Sequence, residues 1–303
     1  MTKFEGLIAA PFTPMNEWGE VIPEMIPEYC SFLEKNGVAG IFINGSTGEG
    51  VSMSQRERQL TTEAWVAAAK NSQVKVITLV GGTSYTESIE NALHARSAGV
   101  DAIAVMAPFY FKPAGALQLV EFIATIAESV PDLPVYFYHI PVLTGCYVSM
   151  FDLLNVAKDI PNLAGIKYTH EDFMDYQSCM GFQDGRYDML WGRDENFLAA
   201  MSLGARAAVG STFNYAAPLY LKMMQRFDAG DLVQARQLQM QSINMIRLLS
   251  KYGGIATGKA YMRYVGFNFG GFRSPVKNMT QEDFTRFTQD VKGLKMEDLF
   301  SVK

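Results

Sequence analysis

Short apolar, β-branched or aromatic runs recur eight times along the first two-thirds of the chain, each followed by a turn and a stretch with helical spacing. Most runs are almost continuously apolar, which is typical of strands in a sheet that helices cover. The pattern therefore predicts a parallel sheet with strands at residues 6–12, 40–44, 75–80, 101–107, 135–139, 163–168, 188–191 and 205–210.

Helix starts are marked by two Ser-x-x-Glu pairs, Ser54 with Glu57 and Ser84 with Glu87. This spacing is typical of a capping box, in which side chains satisfy the free amides of a first turn. Both pairs precede helical stretches between predicted strands, so we expect them to begin helices.

Three helical stretches close with a glycine just before the next strand, at Gly37, Gly99 and Gly204. Glycine is favoured where a helix ends in a left-handed residue. The same helix-to-strand joint used three times indicates an internal quasi-repeat.

Eight strands joined by crossover helices, in units of about 30 residues, predict an α/β fold of the (β/α)₈ TIM barrel type. The glycines at 45, 48 and 50 do not have the spacing of a dinucleotide-binding turn. From Pro218 onward the pattern is helical, with clear stretches at 232–249 and 280–291. We therefore expect a barrel over residues 1–228 and a C-terminal helical extension over 229–303, packed on the barrel.

Composition excludes several classes of protein. Hydrophobic residues make up 49% of the chain and charged residues 19%, which is ordinary for a globular protein. A formal charge of −5 argues against nucleic acid as a partner.

No apolar run approaches the ~18 residues of a membrane span, and residues 1–5 lack a signal-peptide pattern, so we expect a cytoplasmic protein without membrane contact. The three cysteines and three histidines show no metal-binding spacing, so no metal site is expected.

Chemistry in a parallel barrel gathers at the carboxyl ends of the strands. Polar residues follow five of the predicted strands there, in the segments 44–49, 138–141, 167–169, 192–195 and 210–212. These segments are expected to meet at one rim of the barrel and form the functional site.

Lys167 is the most informative of these residues, because it lies within an apolar run that is fit for a buried strand. A buried, unpaired ammonium tends to lose its proton, and a neutral lysine amine is a nucleophile that forms Schiff bases with carbonyl carbon. The alternative is a lysine that reaches past the rim into water.

Strand geometry places Tyr136 and Tyr138 on the same face of the fifth strand, with Phe137 and His139 on the other. Tyr138 is nearer the carboxyl end and could transfer protons beside Lys167. The alternative is that both phenols are core aromatics.

The turn Ser46-Thr47-Gly48 offers two hydroxyls and successive backbone amides, a composition suited to a small carboxylate. An ordinary turn has a similar composition.

Asp194 and Glu195 follow the seventh strand, where they would repel phosphate and accept hydrogen bonds from hydroxyl groups. An unphosphorylated polyol is the ligand that they imply. The alternative, compatible with the first, is that they cap the helix that follows.

Four motifs, at 45–49, 138–141, 165–167 and 210–212, occur in an order and at separations that resemble the class I aldolases of the N-acetylneuraminate lyase and dihydrodipicolinate synthase family. The resemblance covers essentially the whole chain. Segments 42–50, 136–145 and 209–215 are most similar to the sialic acid lyases of that family. In the synthases an arginine follows the relay tyrosine and serves a carboxylate-bearing second substrate, whereas here Leu143 takes its place.

The resemblance implies reversible cleavage of N-acetylneuraminate to pyruvate and N-acetylmannosamine, by a lyase that needs no metal or cofactor and assembles as a homotetramer. Lys167 would form the Schiff base and Tyr138 would relay protons. Ser46 and Thr47 would hold the pyruvyl carboxylate. The predicted sugar-binding residues are Thr169, Gly192, Asp194, Glu195, Gly210 and Ser211, with Tyr110 as the aromatic residue that the family places after strand four.

Two other functions remain open from the sequence. One is a pyruvate-dependent aldolase that acts on a different 2-keto-3-deoxy sugar acid. The other is a barrel that binds sugar acids without catalysis, which would not require Lys167. A scaffold role fits poorly with polar groups that converge on one rim.

Overall fold

A computed structural model describes residues 3–303, so residues 1 and 2 of the N-terminal segment discussed above lie outside the described residues. Eight parallel strands pair in chain order, and the first also pairs with the last, so that the sheet closes into a barrel. The strands are β1 Gly6–Ala9, β2 Gly40–Ile43, β3 Lys75–Leu79, β4 Ala102–Met106, β5 Val135–His139, β6 Leu163–Tyr168, β7 Asp188–Trp191 and β8 Ala207–Gly210. The predicted TIM barrel is confirmed.

Helices surround the barrel and continue beyond it. They are α1 Ile26–Lys35, α2 Gln55–Ala69, α3 Tyr85–Ala98, α4 Ala116–Ala127, α5 Pro141–Thr144, α6 Met150–Val156, α7 Phe173–Gly181, α8 Phe197–Ser202, α9 Phe213–Asp228, α10 Leu232–Lys251, α11 Thr257–Tyr264 and α12 Gln281–Gly293. Short 3₁₀ turns stand at Pro23–Met25, Gly50–Ser52, Asp194–Asn196, Gly254–Ala256 and Glu297–Leu299. Among the described residues, no helix is both long enough and apolar enough to span a membrane.

The predicted helix starts are confirmed. Ser54 and Glu57 form a reciprocal capping box at the start of α2, and the Ser84 side chain accepts a hydrogen bond from the Glu87 amide at the start of α3. The three closing glycines, at 37, 99 and 204, have φ values of 82°, 92° and 104°, which is the left-handed conformation expected of them.

Five strands, β1, β2, β3, β4 and β8, are shorter than predicted, and the two cases below have identifiable reasons. β1 ends at Ala9 because Pro11, two residues further on, has no amide proton to extend the ladder. β8 begins at Ala207 because the Ala205 amide instead donates to the Ala200 carbonyl (3.0 Å) and closes α8.

The strand residues form two apolar layers. The layer inside the barrel includes Ile8, Phe42, Tyr136 and Tyr138, whereas Phe137 belongs to the larger layer between sheet and helices. The prediction that the two tyrosines share the inward face of β5 is thus confirmed, and Tyr138 lies nearer the carboxyl end.

The opposite end of the barrel is closed by a buried polar contact. The Tyr136 hydroxyl donates to Asp188 Oδ2 (2.8 Å), and the Phe4 amide donates to the same oxygen (2.9 Å). Burial raises the pKa of the Asp188 carboxyl, and the two donors offset part of that shift. Tyr136 is therefore a structural residue, in contrast to Tyr138 at the rim.

The helical stretch that was predicted from Pro218 onward begins earlier in the structure. α9 starts at Phe213, five residues before Pro218, and has non-helical dihedrals at Ala216, because a proline ring crowds the preceding turn. The boundary that we propose between barrel and extension, after residue 228, coincides with the end of α9. From α10, Gln239 Nε2 donates to the Asp194 carbonyl (3.2 Å) and so reaches the rim of the barrel.

We predict that Tyr136→Phe lowers the free energy of unfolding by about 1–3 kcal/mol, because the buried Asp188 carboxyl loses a donor. Tyr138→Phe is the matched control, since its hydroxyl makes only a 3.5 Å contact with Ser46 Oγ. Urea unfolding followed by circular dichroism measures both, and equal losses in the two variants would contradict this account.

Candidate active site

Lys167 lies one residue before the carboxyl end of β6, and only 4% of it is exposed. Its Nζ is 3.7 Å from the ring centroid of Phe42 and 3.9 Å from that of Tyr138. Within residues 3–303, no carboxylate lies within 4 Å of this nitrogen. Burial lowers the pKa of Lys167 to about 7, and the negative charge of Asp194 opposes the shift. A large fraction of the amine is consequently unprotonated near neutral pH.

Tyr138 is the direct neighbour of Lys167 in the register between β5 and β6. Its hydroxyl lies 3.5 Å from Ser46 Oγ. Burial raises the pKa of Tyr138 to about 12, and the Ser46 and Thr169 hydroxyls partly offset this. The phenol is therefore protonated at neutral pH and available as a proton donor next to the amine.

The turn after β2 has an unusual backbone held by buried contacts. Asn44 and Glu49 both adopt left-handed conformations, with φ of 58° and 59°. The Asn44 amide group donates to the Thr62 and Thr78 hydroxyls (3.1 Å each), and Thr13 Oγ1 donates to the carbonyl of Gly48 (2.6 Å). These contacts hold the turn so that Ser46 and Thr47 line the cavity above Lys167.

Asp194 is bonded across the rim to the loop after β8. Its Oδ2 accepts from the Thr212 amide (2.9 Å) and from Thr212 Oγ1 (2.6 Å). Burial raises the pKa of Asp194 to about 7, which the Thr212 bonds oppose. A Cβ at Gly210 would overlap the Asp194 carboxylate, so this position needs the small residue. The Asp194 side chain therefore bonds to Thr212 beside the cavity. Asp194 and Glu195 also stand in the first turn of the 3₁₀ helix that follows β7, as the compatible alternative expected.

These groups surround one open cavity of about 260 Å³ at the carboxyl ends of the strands. The structure brings nine of the predicted site residues to its wall: Ser46, Thr47, Tyr138, Lys167, Thr169, Gly192, Asp194, Glu195 and Ser211. The buried Thr169 hydroxyl is close enough to Tyr138 to lower its pKa, but it makes no hydrogen bond of normal geometry in residues 3–303.

Two predicted site residues do not line this cavity. Gly210 lies beneath the Asp194 carboxylate, as described above. Tyr110 is 77% exposed and packs edge-to-face on Phe111, with ring centroids 5.1 Å apart. Within a single chain, Tyr110 therefore does not reach the site.

Sequence reasoning missed one charged residue of the wall. Arg193 Nη2 lies 2.7 Å from a Glu171 oxygen and 2.6 Å from a Glu195 oxygen. Its position between Gly192 and Asp194, in a segment already singled out, was the available signal.

Sequence reasoning also missed the apolar residues that the C-terminal extension adds to the wall, which are Ile246 and Leu249 of α10 and Ile255. No local signal marks these residues, because their place depends on how the extension packs. In residues 3–303, no group of three or more His, Cys, Asp or Glu side chains is arranged to hold a metal ion.

Comparison with known proteins agrees with this architecture. The model of the dihydrodipicolinate synthetase family matches residues 3–294. An N-acetylneuraminate lyase of Rattus norvegicus is 40% identical over 297 residues, which cover 96% of this chain and 93% of the relative. The human N-acetylneuraminate lyase is 39% identical and covers 92% of this chain, with 89% of its own length matched.

Solved structures give the same picture. The N-acetylneuraminate lyase of Proteus mirabilis superposes with a TM-score of 0.94 at 37% identity, covering 97% of this chain and 99% of that one. A dihydrodipicolinate synthase of Bacillus anthracis superposes with a TM-score of 0.90 at 25% identity, with 96% and 99% covered. On the family match across almost its whole length, the chain belongs to the dihydrodipicolinate synthetase family.

Proposed function

We propose that this protein is a class I aldolase that reversibly cleaves N-acetylneuraminate to pyruvate and N-acetylmannosamine through a Schiff base on Lys167. The observation that carries the proposal is the buried Lys167 amine, with its pKa lowered to about 7, at the mouth of a closed barrel. The lyase names of relatives near 40% identity support the choice of substrate.

The first step is attack of the neutral Lys167 amine on the keto carbon of the substrate. A carbon–nitrogen bond forms, and the former carbonyl oxygen takes a proton to give a carbinolamine. Tyr138 then supplies a proton to this hydroxyl, which departs as water and leaves a protonated imine. The position of Tyr138 beside Lys167 in the strand register suits this transfer.

Carbon–carbon cleavage follows because the protonated imine accepts electrons. The pair in the bond between the third and fourth carbons moves toward the imine nitrogen, while the hydroxyl on the fourth carbon gives its proton to the Tyr138 phenolate left by the dehydration step and becomes the aldehyde carbonyl. An enamine of pyruvate remains on Lys167. Tyr138 then returns this proton to the terminal carbon of the enamine, and water adds to the resulting imine while Tyr138 takes up the proton that the water releases, so that pyruvate departs and both the amine and the phenol are restored.

The remaining wall residues bind the two ends of the substrate. In our proposal Ser46, Thr47 and the amides of their turn hold the carboxylate of the pyruvyl end. Asp194, Glu195, Thr169, Gly192 and Ser211 face the hydroxyl groups of the sugar end. Carboxylates accept hydrogen bonds from hydroxyls and repel phosphate, which favours an unphosphorylated sugar acid.

We also propose that the protein acts in the cytoplasm as a homotetramer. Tyr110 and Phe111, exposed by 77% and 85%, form an aromatic surface on the loop after β4 that is suited to burial against a second copy. Tyr110 would then serve an assembled protein and not the cavity of its own chain.

We predict that pyruvate with cyanoborohydride adds one reduced pyruvyl group to Lys167, because among residues 3–303 it is the lysine that lines the cavity and its pKa is lowered to about 7. Mass spectrometry of the digested protein locates the adduct. Lys167→Met is the control, and it should remain folded by circular dichroism while losing both the adduct and aldol cleavage.

Three outcomes of this experiment separate the candidate functions. Adduct formation with faster cleavage of N-acetylneuraminate than of shorter 2-keto-3-deoxy acids supports the lyase. The reverse preference indicates the related aldolase. Unchanged protein mass, or cleavage retained by Lys167→Met, contradicts the imine mechanism.

We predict that the trapping rate at low pyruvate rises about tenfold per pH unit below pH 7 and levels off above it, because the neutral fraction of Lys167 rises through its pKa of about 7. Asp194→Asn should move this inflection to lower pH, since the Asp194 charge raises the pKa of Lys167. An inflection near the ordinary lysine pKa would show that the amine is solvated.

We predict a mass of four chains in solution by light scattering, and a smaller mass when Phe111→Ser removes apolar surface from the loop. Val302→Ser, at another exposed apolar position, is the matched control. A single-chain mass for the unaltered protein would contradict the proposed assembly.

A further inference from the structure

A buried ion pair adjoins the turn that carries Ser46 and Thr47. Glu49 Oε1 lies 3.2 Å from Lys259 Nζ, and the two side chains are only 4% and 3% exposed. Neither residue lines the cavity above Lys167. The pair therefore needs an explanation other than direct contact with substrate.

The pair fastens the turn to two distant parts of the C-terminal extension. Glu49 Oε2 accepts from the Arg273 amide (2.8 Å), so both carboxylate oxygens are engaged. Lys259, on α11, also donates to the Gly271 carbonyl (2.6 Å). The turn after β2 is thus bonded to α11 and to the segment 271–273.

The backbone at Glu49 depends on such contacts. Its left-handed φ of 59° is uncommon for a residue with a side chain and costs roughly 1–2 kcal/mol unless the surroundings hold it. Next to it, Gly50 packs so closely on the backbone of Asn44 that a Cβ would overlap the Asn44 carbonyl. A small movement of Glu49 is therefore transmitted directly through the turn.

We propose that Lys259 is a positioning residue, which acts through the Glu49 carboxylate to hold the Ser46–Thr47 turn in the geometry that binds the carboxylate of pyruvate. The inference rests on the proposed function, and it adds a role for the C-terminal extension in the pyruvate half of the site.

The physical basis is the cost of an unpaired buried charge. Without the Lys259 ammonium, Glu49 would either take up a proton or move toward water, and both changes disturb its bonds. The other charged group near Glu49 is the Arg273 guanidinium, whose Nη2 is already paired with Glu57. Burial lowers the pKa of Lys259, and the Glu49 charge opposes that shift.

The test uses the full-length protein and the cyanoborohydride trapping of pyruvate. We expect Lys259→Met to raise the half-saturating pyruvate concentration about tenfold, as for a displacement of the binding groups by a fraction of an ångström. The double variant Glu49→Gln/Lys259→Met, in which no buried charge is left alone, should recover most of this loss. Lys251→Met removes a lysine of α10 that pairs with Asp290 on the surface, and it should leave the value unchanged.

The rate at saturating pyruvate separates positioning from a general loss of packing. Lys259→Met should leave this rate within about twofold of that of the unaltered protein while the half-saturating concentration rises, because Lys167 keeps its surroundings. A purely structural role of Lys259 would lower the saturating rate as well.

The proposal is overturned if half-saturating pyruvate for Lys259→Met stays within twofold of the value for the unaltered protein, or if the double variant is no better than Lys259→Met. It is also overturned if Lys259→Met lowers the rate at saturating pyruvate as strongly as it raises the half-saturating concentration. If circular dichroism shows that Lys259→Met is unfolded, Glu49→Gln is tested in its place. Its amide has only one oxygen to accept from the two donors, Lys259 Nζ and the Arg273 amide. It should raise half-saturating pyruvate severalfold, and an unchanged value would overturn the proposal. Absence of trapping in the unaltered protein would instead count against the proposed function.

Discussion

The removal of the Lys167 amine from water is the constraint on which the site depends. An ammonium in bulk water holds its proton at neutral pH, whereas here the rings of Phe42 and Tyr138 replace solvent around the nitrogen. Ring faces attract a cation weakly, so they offset only part of the lost hydration. The negative charge of Asp194 raises the pKa of Lys167 and so opposes the effect of burial without cancelling it. The environment thus leaves the amine close to the point where both protonation states are populated.

The closed barrel makes that environment possible. Because side chains alternate along each strand, every second residue points inward. These inward residues pack together around the barrel axis as one buried layer. Lys167 lies one residue before the carboxyl end of β6. At this position its side chain is buried and also lines the cavity. Toward the other end of the barrel, the Tyr136 hydroxyl donates to the buried Asp188 carboxyl.

Much of this could be read from the sequence, and the exceptions follow from tertiary packing. The strand pattern, the capping serines and the closing glycines are local signals, and they predicted the barrel. The polar segments after the strands predicted most of the cavity wall, since parallel strands bring their carboxyl ends together. α11 has no comparable signal, and its position beside Glu49 is fixed by contacts more than 200 residues apart in the chain. Gly210 shows a different limit, because a glycine in a motif does not reveal whether it faces a ligand or makes room for a neighbouring carboxylate.

The apolar patch formed by Ile246, Leu249 and Ile255 has an evolutionary consequence. These side chains come from segments outside the strand ladder and line the same cavity as Lys167. Under the proposed function, changes in their bulk would reshape the space available to the departing aldehyde while Lys167 keeps its neighbours Phe42 and Tyr138. Divergence in acceptor choice among barrels of this kind can therefore proceed by exchange of a few aliphatic residues outside the sheet.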